Sequence, residues 1–163
     1  MTGLYPHSHG ITSNVHNLGS SVHELADRQS LLPRQLESAG YRCGYTGKWH
    51  LGTDLNESFG ATSKSTLPRD VGFEGQNFPG HGGGGHRYPE YQRYLDSNGF
   101  ERDVLPWGHT TPRFFVAGEE RCPVEATVPY FLADHTIDLM RRFSEEDAPF
   151  FIWHNFWGPH GPY

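Results

Sequence analysis

The chain has 163 residues, a length that suits one domain with a hydrophobic core. Its formal net charge is −6 with only 13 Lys and Arg residues, which argues against the basic surface of a nucleic-acid-binding protein. No apolar run reaches the roughly 18 residues typical of a membrane-spanning helix. The 20 Gly and 12 Pro residues, together with 11 Phe, 8 Tyr and 4 Trp, indicate a loop-rich protein with a core built largely from aromatic side chains.

The first segment, residues 1–10, is predicted to form a turn because Gly3 and Pro6 interrupt it. His7 and His9 suggest a metal site. Two histidines without a third ligand nearby are more often part of a polar loop, and we interpret this pair in that way. Residues 11–28 show no hydrophobic period and are also predicted to be a loop.

A helix followed by a strand is predicted next. Residues 30–39 carry apolar side chains at helical spacing, with Pro33 in the first turn and a glycine just past the end. Residues 41–46 are rich in β-favouring side chains, which predicts a short strand. Cys43 in this strand is interpreted as a small core residue, and a disulfide between Cys43 and Cys122 is the alternative.

Lys48 and His50 directly follow the predicted strand. If the extended geometry persists, side chains at positions i and i+2 project to the same side. The carboxyl ends of strands are also where ligands bind in open α/β sheets. A cation and a titratable base at this place suit an anionic substrate, whereas the alternative is a solvated strand end without a function.

Residues 53–89 are polar and rich in glycine and proline, which predicts a long loop that is either functional or mobile. Residues 81–86 within it read His-Gly-Gly-Gly-Gly-His. This run lacks the Lys-Ser/Thr pair of a phosphate-binding loop, so we interpret it as a flexible loop.

Two helices and a strand are predicted in the second half of the chain. Residues 90–98 form a short helix, residues 100–124 are predicted to be irregular, and residues 129–144 show the strongest helical period. Apolar side chains occupy both faces of residues 149–157, which predicts a buried and parallel strand. His154 interrupts this apolar pattern, and it is either a hydrogen-bonded core histidine or a residue that supports a site.

Three motifs together are similar to those of the type I sulfatases, which belong to the alkaline-phosphatase superfamily. Residues 40–52, Gly-Tyr-Arg-Cys-Gly-Tyr-Thr-Gly-Lys-Trp-His-Leu-Gly, resemble the second sulfatase signature, with Cys43 where Ser or Thr is usual. Residues 159–163 resemble the Pro-His-x-Pro-Tyr element of the family, and they set His160 between two prolines on stiff backbone. Residues 1–3 resemble the end of the Leu-Met-Thr-Gly tail that follows the first signature, Cys(or Ser)-x-Pro-x-Arg.

The resemblance implies an α/β fold, namely an alkaline-phosphatase-like, mixed and mostly parallel sheet flanked by helices, here as a partial and loop-rich domain. It also implies a sulfuric ester hydrolase whose nucleophile is a Cys or Ser oxidised to formylglycine and coordinated to a divalent cation, Ca²⁺ or Mg²⁺. By similarity, Lys48 binds the sulfate oxygens and steadies the formylglycine hydroxyl. His50 acts on that hydroxyl as the base that later expels sulfate, and His160 donates a proton or a hydrogen bond to the leaving oxygen. The metal ligands that the resemblance implies are not expected among these residues.

We expect residues 1–163 to be a fragment of the sulfatase catalytic domain that starts just after the nucleophile motif and is inactive alone. The resemblance further implies a small sulfated substrate (a sugar, aryl or alkyl sulfate) and a formylglycine-generating or anaerobic maturation enzyme as a partner. A periplasmic, secreted or lysosome-like location is expected by the same analogy. Two alternatives stay open: a phosphatase or phosphonate hydrolase of the same superfamily, and an inactive, truncated α/β fragment.

Overall fold

The computed structural model describes residues 1–13, 22–52, 66–75, 89–107 and 117–158. The helices in these ranges are α1 (Pro6–His9), α2 (Leu32–Ser38), α3 (Pro89–Asn98) and α4 (Val128–Ser144). The strands are β1 (Arg42–Gly47), β2 (Glu74–Gly75), β3 (Val104–Trp107), β4 (Ala117–Glu120) and β5 (Phe150–Asn155). None of the helices in the described ranges has the length and hydropathy that a membrane span requires.

The main sheet is parallel and has the strand order β2-β1-β5. β1 and β5 pair along their full length, from Arg42 opposite Phe150 to Gly47 opposite Asn155. The carboxyl ends of these two strands therefore meet at one edge of the sheet. The prediction of an α/β fold with a parallel sheet between helices is confirmed.

Helices pack on both faces of this sheet, and successive side chains of β1 alternate between the two faces. On one face, α4 packs so closely that a Cβ at Gly44 would lie 2.6 Å from Leu139 Cδ2. On the other face, Cys43 is buried and its thiol donates to the Pro33 carbonyl of α2 at 3.6 Å. Cys43 is a free cysteine in the core, as predicted, and Cys122 is free as well.

The predicted helices agree with the structure. α2 begins one residue before Pro33, and its first turn holds the proline as expected. In α4, Leu132, Leu139 and Phe143 are buried along one face, and the Thr127 side chain caps the helix by accepting from the backbone N–H of Tyr130. α3 packs on α4 through a core cluster that is separate from the core around β1. This α3–α4 core cluster includes Tyr91, Leu95, Phe131 and Leu132.

The prediction that residues 100–124 are irregular is wrong. β3 and β4 form an antiparallel pair with Val104 opposite Glu120. Proline, as at position 106 in β3, has no N–H for strand pairing and is disfavoured within strands. β4 reads Ala-Gly-Glu-Glu, which has none of the β-branched or aromatic residues that usually identify strands.

The prediction for β5 is confirmed in its direction and wrong in its burial. β5 is parallel to β1, yet Phe150 is 38% exposed and the remaining residues of the strand are half-buried. The reason is that β5 lies at one edge of the described three-stranded sheet, so among the described residues it has a neighbouring strand on one side only.

Arg42 forms ion pairs that stabilise the amino end of the sheet. Its guanidinium forms ion pairs with Glu74 of β2 and with Glu146 just after α4. The same group lies 4.1 Å from the centre of the Phe143 ring. A single side chain thus joins two strands to the connection between α4 and β5.

His154 is a hydrogen-bonded residue on the α4 face of the sheet. Its Nδ1 lies 2.7 Å from Thr46 Oγ1 and 2.8 Å from Thr136 Oγ1, and these two hydroxyls are 2.6 Å apart. The Thr136 hydroxyl donates its hydrogen to the Leu132 carbonyl, so the Thr46 hydroxyl is the donor to Thr136. Neither hydroxyl then has a hydrogen left for His154, and its two contacts with them require a hydrogen on Nδ1. Burial lowers the pKa of His154, which keeps the ring neutral.

We predict that Gly47→Ala destabilises the protein more than Gly40→Ala. Both glycines have a positive φ, +94° and +85°, but a Cβ at Gly47 would lie 1.8 Å from the Asn155 carbonyl oxygen, whereas nothing lies within 4 Å at Gly40. Gly40→Ala is expected to lower the free energy of unfolding by about 1 kcal/mol for its backbone conformation alone. Gly47→Ala should lower it at least twofold more in urea denaturation of the full-length gene product, and equal losses would contradict this packing.

We also predict that the free energy of unfolding falls as the pH drops below the ordinary pKa of histidine. Burial lowers the pKa of both His154 and His135 from the ordinary value of 6.5, so the unfolded chain binds protons that the folded chain does not. Stability is therefore complete above pH 6.5 and decreases as the pH drops below it.

The variant His154→Asn tests the source of this pH dependence, because the asparagine amide still donates to Thr46 but does not titrate. Urea denaturation at several pH values should give a shallower slope for the variant, with the rest coming from His135. Identical slopes for the two proteins would show that His154 is not a source.

Candidate active site

The end of β1 turns sharply and then fixes three consecutive side chains. Gly47 takes a left-handed conformation, and the N–H of Lys48 donates to the Asn155 carbonyl at 2.9 Å. Trp49 points into the core, where it is 1% exposed and its Nε1 donates to the Thr66 carbonyl at 2.7 Å. With Trp49 anchored inward, Lys48 and His50 on either side of it face the opposite direction, as alternation along an extended chain requires.

Two side chains from the neighbouring strands hold the main chain of Lys48. The Tyr45 hydroxyl donates to the Lys48 carbonyl. The Asn155 amide donates to the Tyr45 hydroxyl at 2.6 Å, and its oxygen accepts from Trp153 Nε1 at 3.2 Å. Burial raises the pKa of Tyr45 to about 12, so the phenol stays protonated and remains a donor at neutral pH.

These residues surround an open pocket of about 760 Å³ at the carboxyl edge of the sheet. Its lining includes residues 1–4, His9, Ile11, Leu25, Tyr45, Lys48, His50, Leu51, Trp153, Asn155 and Phe156. Among these described lining residues, Lys48 is the one side chain with a fixed positive charge, and none is Asp or Glu. The pocket therefore combines apolar walls with a cation and two imidazoles, a lining that favours an anion.

The Lys48 ammonium is held in a partly desolvated place. Burial lowers its pKa from the ordinary value, while Nζ lies 5.0 Å from the centre of the Trp157 ring, a cation–π contact that favours the charged form. No carboxylate of the described ranges forms an ion pair with it. A bound anion would supply the opposite charge that a half-buried cation otherwise lacks.

The structure brings together two of the three residues that the sequence singled out. Lys48 and His50 line the same pocket, as their spacing predicted, whereas His160 lies outside the described residues. The glycine-rich run at 81–86 also lies outside them. The catalytic roles of Lys48, His50 and His160 stay predictions.

Three pocket residues were missed by the sequence analysis. Asn155 was a polar interruption at the end of an apolar strand, a signal that could have identified it. Tyr45 gave no signal because its hydroxyl matters only through contacts made after folding. His9 was interpreted as a loop residue, yet it lies in the one-turn helix α1 and lines the pocket.

The residues in the described ranges do not fit the metal site or the oxidised nucleophile that the sequence resemblance implies. No group of three His, Cys, Asp or Glu side chains within these ranges is arranged to hold a metal ion. Cys43 is buried on the α2 side, and Cys122 packs against the α3–α4 core cluster, so neither thiol lines the pocket.

A family model with the description Sulfatase matches residues 1–163, the whole chain. A comparison with curated proteins finds no match. The family match includes the end of β1, the end of β5 and α1, which together form the pocket.

Proposed function

The chain belongs to the sulfatase family, and on that premise we propose that its pocket binds the sulfate group of a small sulfate ester for hydrolysis. The family assignment supports a hydrolase of the sulfatase type. The mixed α/β architecture, with a parallel sheet between helices, is consistent with the alkaline-phosphatase-like fold of that family. The sulfate contacts and proton transfers described next are our proposal.

The observation that carries the proposal is the position of Lys48 at the carboxyl end of β1, in a pocket whose described lining has no carboxylate. A sulfate ester has a negative charge that is spread over its oxygens. In a pocket with apolar walls, a preorganised ammonium attracts these oxygens more strongly than it does in water. Lys48 is therefore assigned to bind sulfate and to stabilise charge on it during the reaction.

His50 is assigned to proton transfer at the same group. Its imidazole lines the pocket together with Lys48. The buried Trp49 lies between these two residues in the sequence and anchors the main chain from which both side chains project. A neutral imidazole accepts a proton near neutral pH, which suits a base that assists the expulsion of sulfate. His160 is proposed as the proton donor to the leaving oxygen on the motif alone.

A formylglycine and a divalent cation, Ca²⁺ or Mg²⁺, are proposed to complete the site, by analogy with the family. The described residues do not fit either group, so other residues would supply them. A maturation enzyme that forms the formylglycine, and a location outside the cytoplasm, are proposals on the same analogy.

We predict that Lys48→Ala in the full-length gene product lowers kcat/KM for 4-nitrophenyl sulfate by at least about 100-fold. The physical reason is that removing one preorganised charge from the reacting group costs roughly 3 kcal/mol of transition-state stabilisation. The matched control is Arg93→Ala, because Arg93 is 67% exposed and belongs to α3, away from the pocket.

Release of 4-nitrophenol from the sulfate and from the corresponding phosphate should be compared for both variants. Sulfate turnover that depends on Lys48 supports the proposal. A protein that prefers the phosphate is a phosphatase of the superfamily, and full sulfate turnover without Lys48 would remove this residue from the mechanism.

We further predict that Tyr45→Phe lowers kcat/KM about tenfold because the Lys48 carbonyl loses its hydroxyl donor and the ammonium is held less firmly. Tyr91→Phe is the matched control, since the Tyr91 hydroxyl is also buried and donates to a main-chain carbonyl, that of Ala126. Each substitution should lower the free energy of unfolding by about 1 kcal/mol. If both variants lose activity equally, the effect of Tyr45 is one of stability and not of positioning.

A further inference from the structure

We propose that His9 is a neutral hydrogen-bond donor to the anionic substrate, acting in the same pocket as Lys48 and His50. The inference rests on the proposed function and adds a substrate-binding residue to it. His9 lines the pocket with those two side chains although it lies in a different part of the chain, at the end of α1.

The hydrogen bonds of His9 determine which ring nitrogen carries the proton. Nδ1 lies 3.2 Å from the backbone nitrogen of Ile11 and accepts its N–H. A hydrogen on Nδ1 would point at the hydrogen of that N–H, so the proton of the neutral ring is on Nε2. Among the described residues, none accepts a hydrogen bond from Nε2, which leaves this N–H available to a ligand.

The backbone around His9 holds the ring in place. Gly10 ends α1 in a left-handed conformation, and its N–H donates to the Pro6 carbonyl at 2.8 Å. A Cβ at Gly10 would lie 2.6 Å from a methyl group of Val22, so this turn is packed against the neighbouring segment. Ile11, which binds Nδ1, itself lines the pocket. The donor is therefore preorganised and loses little entropy when a ligand binds.

This arrangement suits binding and not proton transfer. With Nδ1 occupied by the N–H of Ile11 and Nε2 protonated, the neutral ring has no lone pair available to act as a base. His9 and His50 then differ in role, since His9 donates a hydrogen bond and His50 exchanges a proton. His7, two residues before His9, is exposed, stacks on Tyr5 with ring centres 5.8 Å apart and is not part of the pocket lining.

Three variants of the full-length gene product separate the functions of the two ring nitrogens. His9→Asn places an amide oxygen near Nδ1 and keeps the acceptor for Ile11, but it has no donor at the position of Nε2. His9→Gln places an amide N–H near Nε2 and loses the acceptor. His7→Asn is the matched control on the same helix.

Dissociation constants for inorganic sulfate, from isothermal titration calorimetry, and KM for 4-nitrophenyl sulfate are the readouts. His9→Asn should weaken sulfate binding about tenfold or more, the usual loss for one hydrogen bond to a charged group, and should leave the pH profile of kcat unchanged. His9→Gln should stay within about threefold of the wild type, and His7→Asn should not differ from it. In the wild type, ¹⁵N-histidine NMR should show the Nε2–H tautomer for His9.

Unchanged sulfate affinity in His9→Asn, or an Nδ1–H tautomer, would overturn the inference. Turnover that depends on Lys48 but not on His9 overturns the role of His9 and leaves the proposed function intact. Sulfate binding that depends on His9 in a protein without sulfate-ester turnover supports the anion donor and refutes the proposed reaction. Thermal unfolding of His9→Asn should match that of the control, and a large loss of stability there would assign His9 a structural role and overturn the inference.

Discussion

The backbone carbonyl of Asn155 is the group on which the candidate site depends most directly. It accepts the N–H of Lys48 and lies so close to residue 47 that only glycine fits there. The Asn155 side chain reaches from the same residue to the Tyr45 hydroxyl, which in turn holds the Lys48 carbonyl. Hydrogen bonds therefore join the carboxyl ends of β1 and β5 to the main chain of Lys48. Lys48 cannot move without disturbing the sheet.

The alternation of side chains along β1 and β5 gives the two faces of the sheet different properties. Tyr45 and Asn155 face the pocket, where their polar groups hold main chain in place. Thr46 and His154 face α4, where their hydrogen bonds continue to Thr136 and end at a helix carbonyl. The hydroxyls of Thr46 and Thr136 donate within this network, so neither is left as a donor for a ligand. The pocket of the proposed site therefore lies on the other side, at the carboxyl edge of the sheet.

Much of the fold could be predicted from local sequence, because helix ends, proline positions and hydrophobic periods fix α2, α3, α4 and the two long strands. The convergence of Lys48 and His50 followed from the strand period alone. The contact between Tyr45 and Asn155 joins residues 110 positions apart, so it depends on a strand register that no local pattern contains. His9 was missed for a similar reason, since its place in the pocket lining depends on where α1 packs. β3 and β4 were missed because pairing overrides weak strand propensity there.

The main chain around Trp49 is held by residues that are distant in the sequence. Its indole is tied to the Thr66 carbonyl, the Thr66 N–H is tied to Glu24, and the Leu25 N–H is tied to the Leu51 carbonyl. These bonds hold the main chain that carries Lys48 and His50 against residues from two other parts of the described sequence. A substitution at Glu24 or Thr66, neither of which lines the pocket, would therefore disturb the pocket through the main chain.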